Sequence, residues 1–259
     1  MTKLKSLTKL VLFLSAICLF TTSCSDDDND TPVKKPSTVI TNIKIFKSTS
    51  KTEFLTSLSF SYDSNQRLTH IYSTSPLTAV NYIYDKDSKV NYNYASENST
   101  LVEMKTTLEN GRSYMCTFSN KESAATYSYN SNGYLGLCNN NGNILEYTWD
   151  NGNLKSISST PRGTYNSDFR TSTVANNYSI DLNTLAQLID DRTDYINVMN
   201  TYGQMAGFLG KRSANLVEDS HNIYDYSFYQ DGRLKELTLF TGSAEGYTFR
   251  IAYMDSILE

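Results

Sequence analysis

The residues Tyr147 to Ile157, YTWDNGNLKSI, constrain this chain more than any other stretch. Rings at Tyr147 and Trp149 alternate with polar residues. Asp150-Asn151-Gly152 follows, and Leu154 and Ile157 lead away from it. Period-two alternation places one set of side chains on one face of a strand, and Asn-Gly supplies the positive φ that a tight hairpin turn requires. Looser copies recur at Phe60–Ile71 (FSYDSNQRLTHI), Tyr127–Leu137 (YSYNSNGYLGL) and Tyr226–Leu237 (YSFYQDGRLKEL). Asn110-Gly111, Asn132-Gly133, Asn141-Gly142, Asn151-Gly152 and Asp231-Gly232 are candidate type I′ turns. The ring positions Tyr62, Tyr84, Tyr129 and Trp149 are spaced by about 20 residues or twice that, which fits one hairpin per repeat.

A first strand is expected where Val39, Ile43 and Ile45 alternate with polar residues after Thr38. Short alternating runs then continue to Ile180. Between Asp181 and Gly210 the period changes: Leu182, Leu185, Ala186 and Ile189 have helical spacing, with Asp181 as N-cap. A second helical run passes through Tyr195, Val198, Tyr202, Met205 and Leu209, with Gly210 as C-cap. The expected fold is therefore all-β with a small helical insert at 181–210. It is a single large curved antiparallel β-meander, open or barrel-like, with the helix pair packed on its concave face. Leu182, Leu185, Ile189, Val198, Tyr202 and Leu209 are expected to be buried there.

The N-terminus reads as an address. Lys3, Lys5 and Lys9 precede the apolar run Leu10–Phe20, too short for the roughly 20 residues that a membrane helix needs. Thr21-Thr22-Ser23-Cys24 resembles the relaxed lipobox of Bacteroidetes, and the resemblance implies cleavage after Ser23 and a lipid on Cys24. Ser25, Asp26, Asp27 and Asp28 resemble the acidic signal that exports lipoproteins of that phylum to the outer face of the outer membrane. The organisation is then a signal peptide over 1–23, a lipidated acidic tether over 24–37, and the β domain over 38–259. Acyl chains contribute about 0.8 kcal/mol per buried CH₂, enough to anchor the chain to the membrane.

The hairpins resemble the tyrosine-aspartate repeats of bacterial surface shells and toxins through YxY[DN]xxGxL, which implies a meandering sheet. With its signal, acidic tether, hairpins and late helical insert, the whole chain resembles a family of Bacteroidetes surface lipoproteins with a porin-like fold. That resemblance implies an architecture and an address but no reaction.

Composition narrows the chemistry. With 23 basic and 27 acidic residues the net charge is −4, which gives nucleic acid no electrostatic footing. The two histidines, His70 and His221, exclude a histidine-rich metal site by count, and neither lies in a nucleophile motif. AGFLGKRS (Ala206–Ser213) fails as a phosphate loop because Arg212 stands where a hydroxyl is needed. No cofactor or metal is expected, and no catalytic residue is nominated. Cys116 and Cys138 are expected on strands separated by the strand 124–130, two spacings or roughly 9.5 Å apart, hence free. The i, i+2 rings (Tyr82/Tyr84, Tyr92/Tyr94, Tyr127/Tyr129, Tyr147/Trp149, Tyr226/Phe228, Tyr247/Phe249) would line one face, either as core or as a stacking platform. Trp149, the single tryptophan, stands at a strand end. With Tyr147, Asn151 and Asn153 it is the candidate ligand site, for a glycan or a host or envelope glycoprotein. The function expected is non-catalytic binding at the cell surface. The alternatives are a structural or accessory subunit of an envelope complex, and a hydrolase with an unidentified carboxylate pair.

Overall fold

The computed structural model describes residues 37–48, 51–74, 77–85, 89–96, 99–118, 124–160, 166–185, 195–219, 223–240 and 246–255. Among them the alternating runs form sixteen strands. The first six are β1 (Ile40–Lys47), β2 (Phe54–Tyr62), β3 (Leu68–Thr74), β4 (Leu77–Asp85), β5 (Lys89–Ser96) and β6 (Ser99–Glu109). Next come β7 (Arg112–Phe118), β8 (Ala124–Tyr129), β9 (Leu135–Asn140), β10 (Asn143–Asp150), β11 (Asn153–Thr160) and β12 (Asn166–Ala175). The insert follows, and then β13 (Asn215–Asp219), β14 (Ile223–Phe228), β15 (Leu234–Phe240) and β16 (Gly246–Tyr253).

Every strand pairs antiparallel with its sequence neighbour except β13 with β14, and β1 pairs with β16. The result is one sixteen-stranded meander whose edges are β13 and β14. Those edges approach within 8 Å, yet no ladder joins them among the described residues, so the sheet is not closed.

The two faces of the sheet have opposite chemistry. One register row crosses five strands as Ser57, Lys44, Arg250, Glu236 and Ser227. The row beside it reads Thr56, Ile45, Phe249, Leu237 and Tyr226. Further inward rows bring together Leu58, Ile43 and Ile251, and Phe60, Ile71 and Val80, all buried. Membrane barrels carry a lipid-facing apolar band about 25 Å tall. Here the outward rows are Ser, Lys, Arg, Glu, His and Asn. Among the described strand residues the large exposed apolar side chains Phe54, Tyr72, Ile83, Tyr114, Phe228 and Phe240 occur one to a strand, and Met254 is exposed just after β16.

The insert packs on the apolar face. Among the described residues it comprises a 3-10 turn (Leu182–Thr184), the helix α1 (Tyr195–Ala206) and the loop from Gly207 to Ala214. Tyr82 of β4 donates to the Tyr202 carbonyl (3.0 Å), Tyr127 of β8 to Asn200 Oδ1 (3.3 Å), and Cys138 of β9 lies 3.9 Å from the same oxygen. Towards the other arm of the sheet, Ser179 N–H donates to Thr38 O (3.1 Å), and Leu234 N–H to the Tyr178 hydroxyl (3.2 Å). Ile40 N–H of β1 also donates to Ser179 Oγ (2.9 Å). The insert and the residues leading into it thus touch β1, β4, β8, β9 and β15, which requires the sheet to curve around them. Leu182, Leu185, Tyr202 and Leu209 are buried as expected; Ile189 and the Val198 side chain lie outside what is described.

Asp181 caps as expected, its carboxylate accepting from Asn183 N–H. The first turn is 3-10, Leu185 is already α-helical, and the rest of the expected run lies outside the described residues. Other local expectations are corrected. The end of α1 is Gly207 rather than Gly210. Gly207 N–H donates to Gln204 O and Phe208 N–H to Gly203 O, the paired bonds of a Schellman stop, with Gly207 at φ +85°. Asn110-Gly111, Asn141-Gly142 and Asn151-Gly152 have the two positive φ values of type I′ turns. At Asn132-Gly133 and Asp231-Gly232 only the glycine is positive. The longer turn at Asn132-Gly133 follows from Asn130, whose Oδ1 accepts from the backbone of Asn132 (3.0 Å) and Tyr134 (3.1 Å). Asp63 does the same for Asn65 and Arg67, both at 2.9 Å.

Candidate functional site

The hairpin repeat turns out to be a device for building one rim of the sheet. At five places a ring at the end of an even-numbered strand donates to a carbonyl at the start of the preceding strand. The repeat Tyr226–Leu237 departs, its second ring Phe228 lying exposed at the end of β14. Tyr62 reaches Ile40 O (2.7 Å), Tyr84 reaches Leu68 O (2.8 Å) and Tyr129 reaches Ser113 O (2.5 Å). Trp149 Nε1 reaches Leu135 O (2.6 Å) and Tyr253 reaches Leu234 O (2.8 Å). Burial pushes the hydroxyls of Tyr62 and Tyr84 up to about 12, so both stay protonated and able to donate. The ladder slips by one residue just before several of these rings, at Ser61/Tyr62, Ser128/Tyr129 and Thr148/Trp149. A bulge re-aims a side chain, here along the rim.

At three hairpins the residue that follows the turn then covers the next ring. Arg67 lies 4.3 Å from the centroid of Tyr84, Arg112 5.1 Å from Tyr129, and Arg233 4.5 Å from Tyr253. After Gly152 this position is Asn153, which is buried, and after Gly133 it is again not an arginine. Tyr134 occupies it and stacks on Trp149 with centroids 4.6 Å apart and planes 29° from parallel.

The loop after α1 runs along this rim and is caught by three successive hairpins. Ser113 N–H donates to Phe208 O (2.8 Å), Lys211 N–H to Gly133 O (3.0 Å), and Ala214 N–H to Gly152 O (3.0 Å). The segment that failed as a phosphate loop is thus a strap. Its anchor is polar and buried: Asn176 Nδ2 donates to Asp181 Oδ1 (2.7 Å), Leu154 N–H to Ser213 Oγ (3.0 Å), and Arg212 to Tyr178 O (2.6 Å). Burial raises the Asp181 carboxyl above its ordinary range, opposed by the Asn176 amide, the Arg212 charge and the Asn183 N–H. The chain enters at the same rim, where Ser37 N–H donates to Asp255 (2.8 Å) and Arg233 binds both Ser37 O (2.9 Å) and Asp255 (2.5 Å).

Of the sequence-derived site, Trp149 and Asn151 reach this rim, Trp149 half-buried and Asn151 exposed at φ +48°. Tyr147 is buried in the core. Asn153 is also buried and accepts from Asn215 N–H (2.9 Å), holding the end of the strap. Tyr134 and Lys211 belong to the site and were not singled out in the sequence. What distinguishes Tyr134 in the sequence is a ring where Arg67, Arg112 and Arg233 stand after their turns. Cys24, Ser25, Asp26, Asp27, Asp28 and His221 lie outside the described residues. His70 is exposed on the polar face of β3. Cys116 and Cys138 are free and buried on β7 and β9, with β8 between, and burial pushes the Cys138 thiol up to about 11.

No protein-family model and no curated protein sequence matches the chain. Among solved structures, a porin-like protein from Bacteroides uniformis superposes with a TM-score of 0.57 at 15% identity, over 82% of this chain and 97% of that one. The fold is porin-like. At this identity the likeness carries architecture alone, and the porin-like sheet described above wears its apolar face inward.

Proposed function

We propose that the protein is a lipid-anchored, non-catalytic binding module of the outer cell surface, and that it takes glycan or glycoprotein on the rim around Tyr134, Trp149 and Asn151. The observation that carries this reading is the exchange of a covering arginine for Tyr134. A ring-on-ring pair at a wet rim offers an aromatic face to sugar C–H groups, with Asn151 beside it for hydroxyls. Trp149 serves mainly as support for that face, since its N–H and one side are already engaged.

Screened on a glycan array, the mature protein should retain defined sugars. Tyr134→Ala should abolish retention while leaving the unfolding midpoint nearly unchanged, and retention by the variant would sink the reading. The address in this proposal is Cys24 lipidation, with export directed by Ser25, Asp26, Asp27 and Asp28. Replacing the three aspartates with alanine should keep the protein membrane-bound but protect it from protease added to intact cells. Unchanged digestion would reduce the acidic run to a spacer.

A second reading, a structural subunit of an envelope assembly, is favoured by the unladdered edges β13 and β14, since open edges are templates for strand addition. A partner recovered by crosslinking from β13 or β14, with no sugar retained on the array, would select it.

A further inference from the structure

We infer that the ligand of the Tyr134 rim is an acidic saccharide, its carboxylate or sulfate held between Arg112 and Lys211. This rests on the rim being a sugar site at all, and adds to it the sign of the ligand's charge.

The two cations converge on one point of the backbone. A Cβ built on Gly133 would lie 2.9 Å from Arg112 Nη1 and 3.7 Å from Lys211 Cε, so both side chains lean over the same glycine. Gly133 is the floor of the Asn130–Tyr134 turn, and its positive φ and bare surface admit both of them. Tyr134, next in sequence, has Lys211 Nζ 5.7 Å from its ring centroid.

Neither cation forms an ion pair among the described residues. The rim's other covering arginines do, Arg67 with Asp63 (2.8 Å) and Arg233 with Asp231 (2.6 Å) and Asp255 (2.5 Å). Among the described residues, Glu109 lies across the hairpin from Arg112, and Asp150 stands before the next turn. Both are exposed and neither bridges to the pair.

Like charges drawn together are unfavourable unless an anion joins them. A fixed guanidinium and a more mobile ammonium at the edge of an aromatic pair present charge-assisted donors beside a stacking face. The strap sets this geometry, because the Lys211 backbone is bonded to Gly133 O while its side chain is exposed.

The test uses the full mature protein in detergent and follows its tryptophan emission, which reports on Trp149 alone. The probes are oligogalacturonate and its fully methyl-esterified, uncharged form, with dextran sulfate and dextran as a second matched pair. The acidic member of at least one pair should bind about tenfold to a hundredfold more tightly than its neutral partner, the increment expected of one or two charge-assisted hydrogen bonds. That preference should shrink with added salt. It should vanish in Lys211→Gln and in Arg112→Gln, and the unfolding midpoint of Lys211→Gln should match that of the parent. Equal binding of acidic and neutral members overturns the inference and leaves the sugar site standing. An acidic preference that survives both substitutions overturns it too, since the charge must then be read elsewhere. If no member of either pair perturbs the emission, the inference and the sugar reading fall together.

Discussion

Tyr129 shows what a repeat residue does in this protein. Its ring closes the rim, its hydroxyl satisfies the carbonyl of the fully buried Ser113, and Arg112 lies over its face. Tyr129→Phe keeps the ring and the cation above it but strands a buried acceptor. It should therefore cost about 1–3 kcal/mol, read as a lower denaturant midpoint at unchanged slope. Tyr72, exposed on the polar face, is the control; its change to Phe should fall within about 0.5 kcal/mol of zero. A ring placed at i+2 was legible from the sequence; its target was not. The carbonyls of Ile40, Leu68, Ser113 and Leu135 belong to other strands, and only the register brings them under the rings. For the same reason Tyr147, Trp149, Asn151 and Asn153, close in sequence, separate into core, support, rim and strap anchor.

At the scale of elements, the hairpins were readable because their alternation and their Asn-Gly turns are local properties. The strap was not, because Gly207 to Ala214 has no periodicity, and what fixes it is backbone bonding to three turns far away in sequence. Gly210 is its tightest point. At φ +90° its missing side chain leaves room for the Tyr129 ring and Gly133 O, which a Cβ would meet at 2.8 and 2.9 Å. Gly142, at φ +87°, faces open space. Gly142→Ala should therefore lose only the backbone preference, about 1 kcal/mol, whereas Gly210→Ala should lose distinctly more, because backbone and a packed ring must shift. Urea unfolding of the two variants side by side separates conformational cost from crowding, and equal losses would show that the strap yields.

For the whole molecule, the question posed by a porin-like sheet is which side meets lipid. Across β2, β1, β16, β15 and β14 one outward row is Ser57, Lys44, Arg250, Glu236 and Ser227, side chains suited to water. The membrane attachment proposed above is the lipid on Cys24. In Triton X-114 phase separation the parent should enter the detergent phase and Cys24→Ala the aqueous phase. Detergent partitioning of both would mean that the strands themselves bind lipid. Polarity of this kind was readable from the sequence as Ser-, Thr- and Asn-rich strands. The sixteen-strand count and the open β13/β14 edge were not, because they depend on how far the curvature carries before the two arms meet.

The clamp of Ser37 by Asp255 and Arg233 has a mechanical consequence. A tethered protein that holds a ligand in flow is under tension between its root and its bound cargo. In the proposed reading both grips lie on one rim. Ser179 is bonded to Thr38 at the root, and Lys211 and Ala214 to the turns that carry Tyr134 and Trp149. Load between the proposed anchor and the proposed ligand site would fall first on these few rim hydrogen bonds, which lie outside the ladders of the sheet.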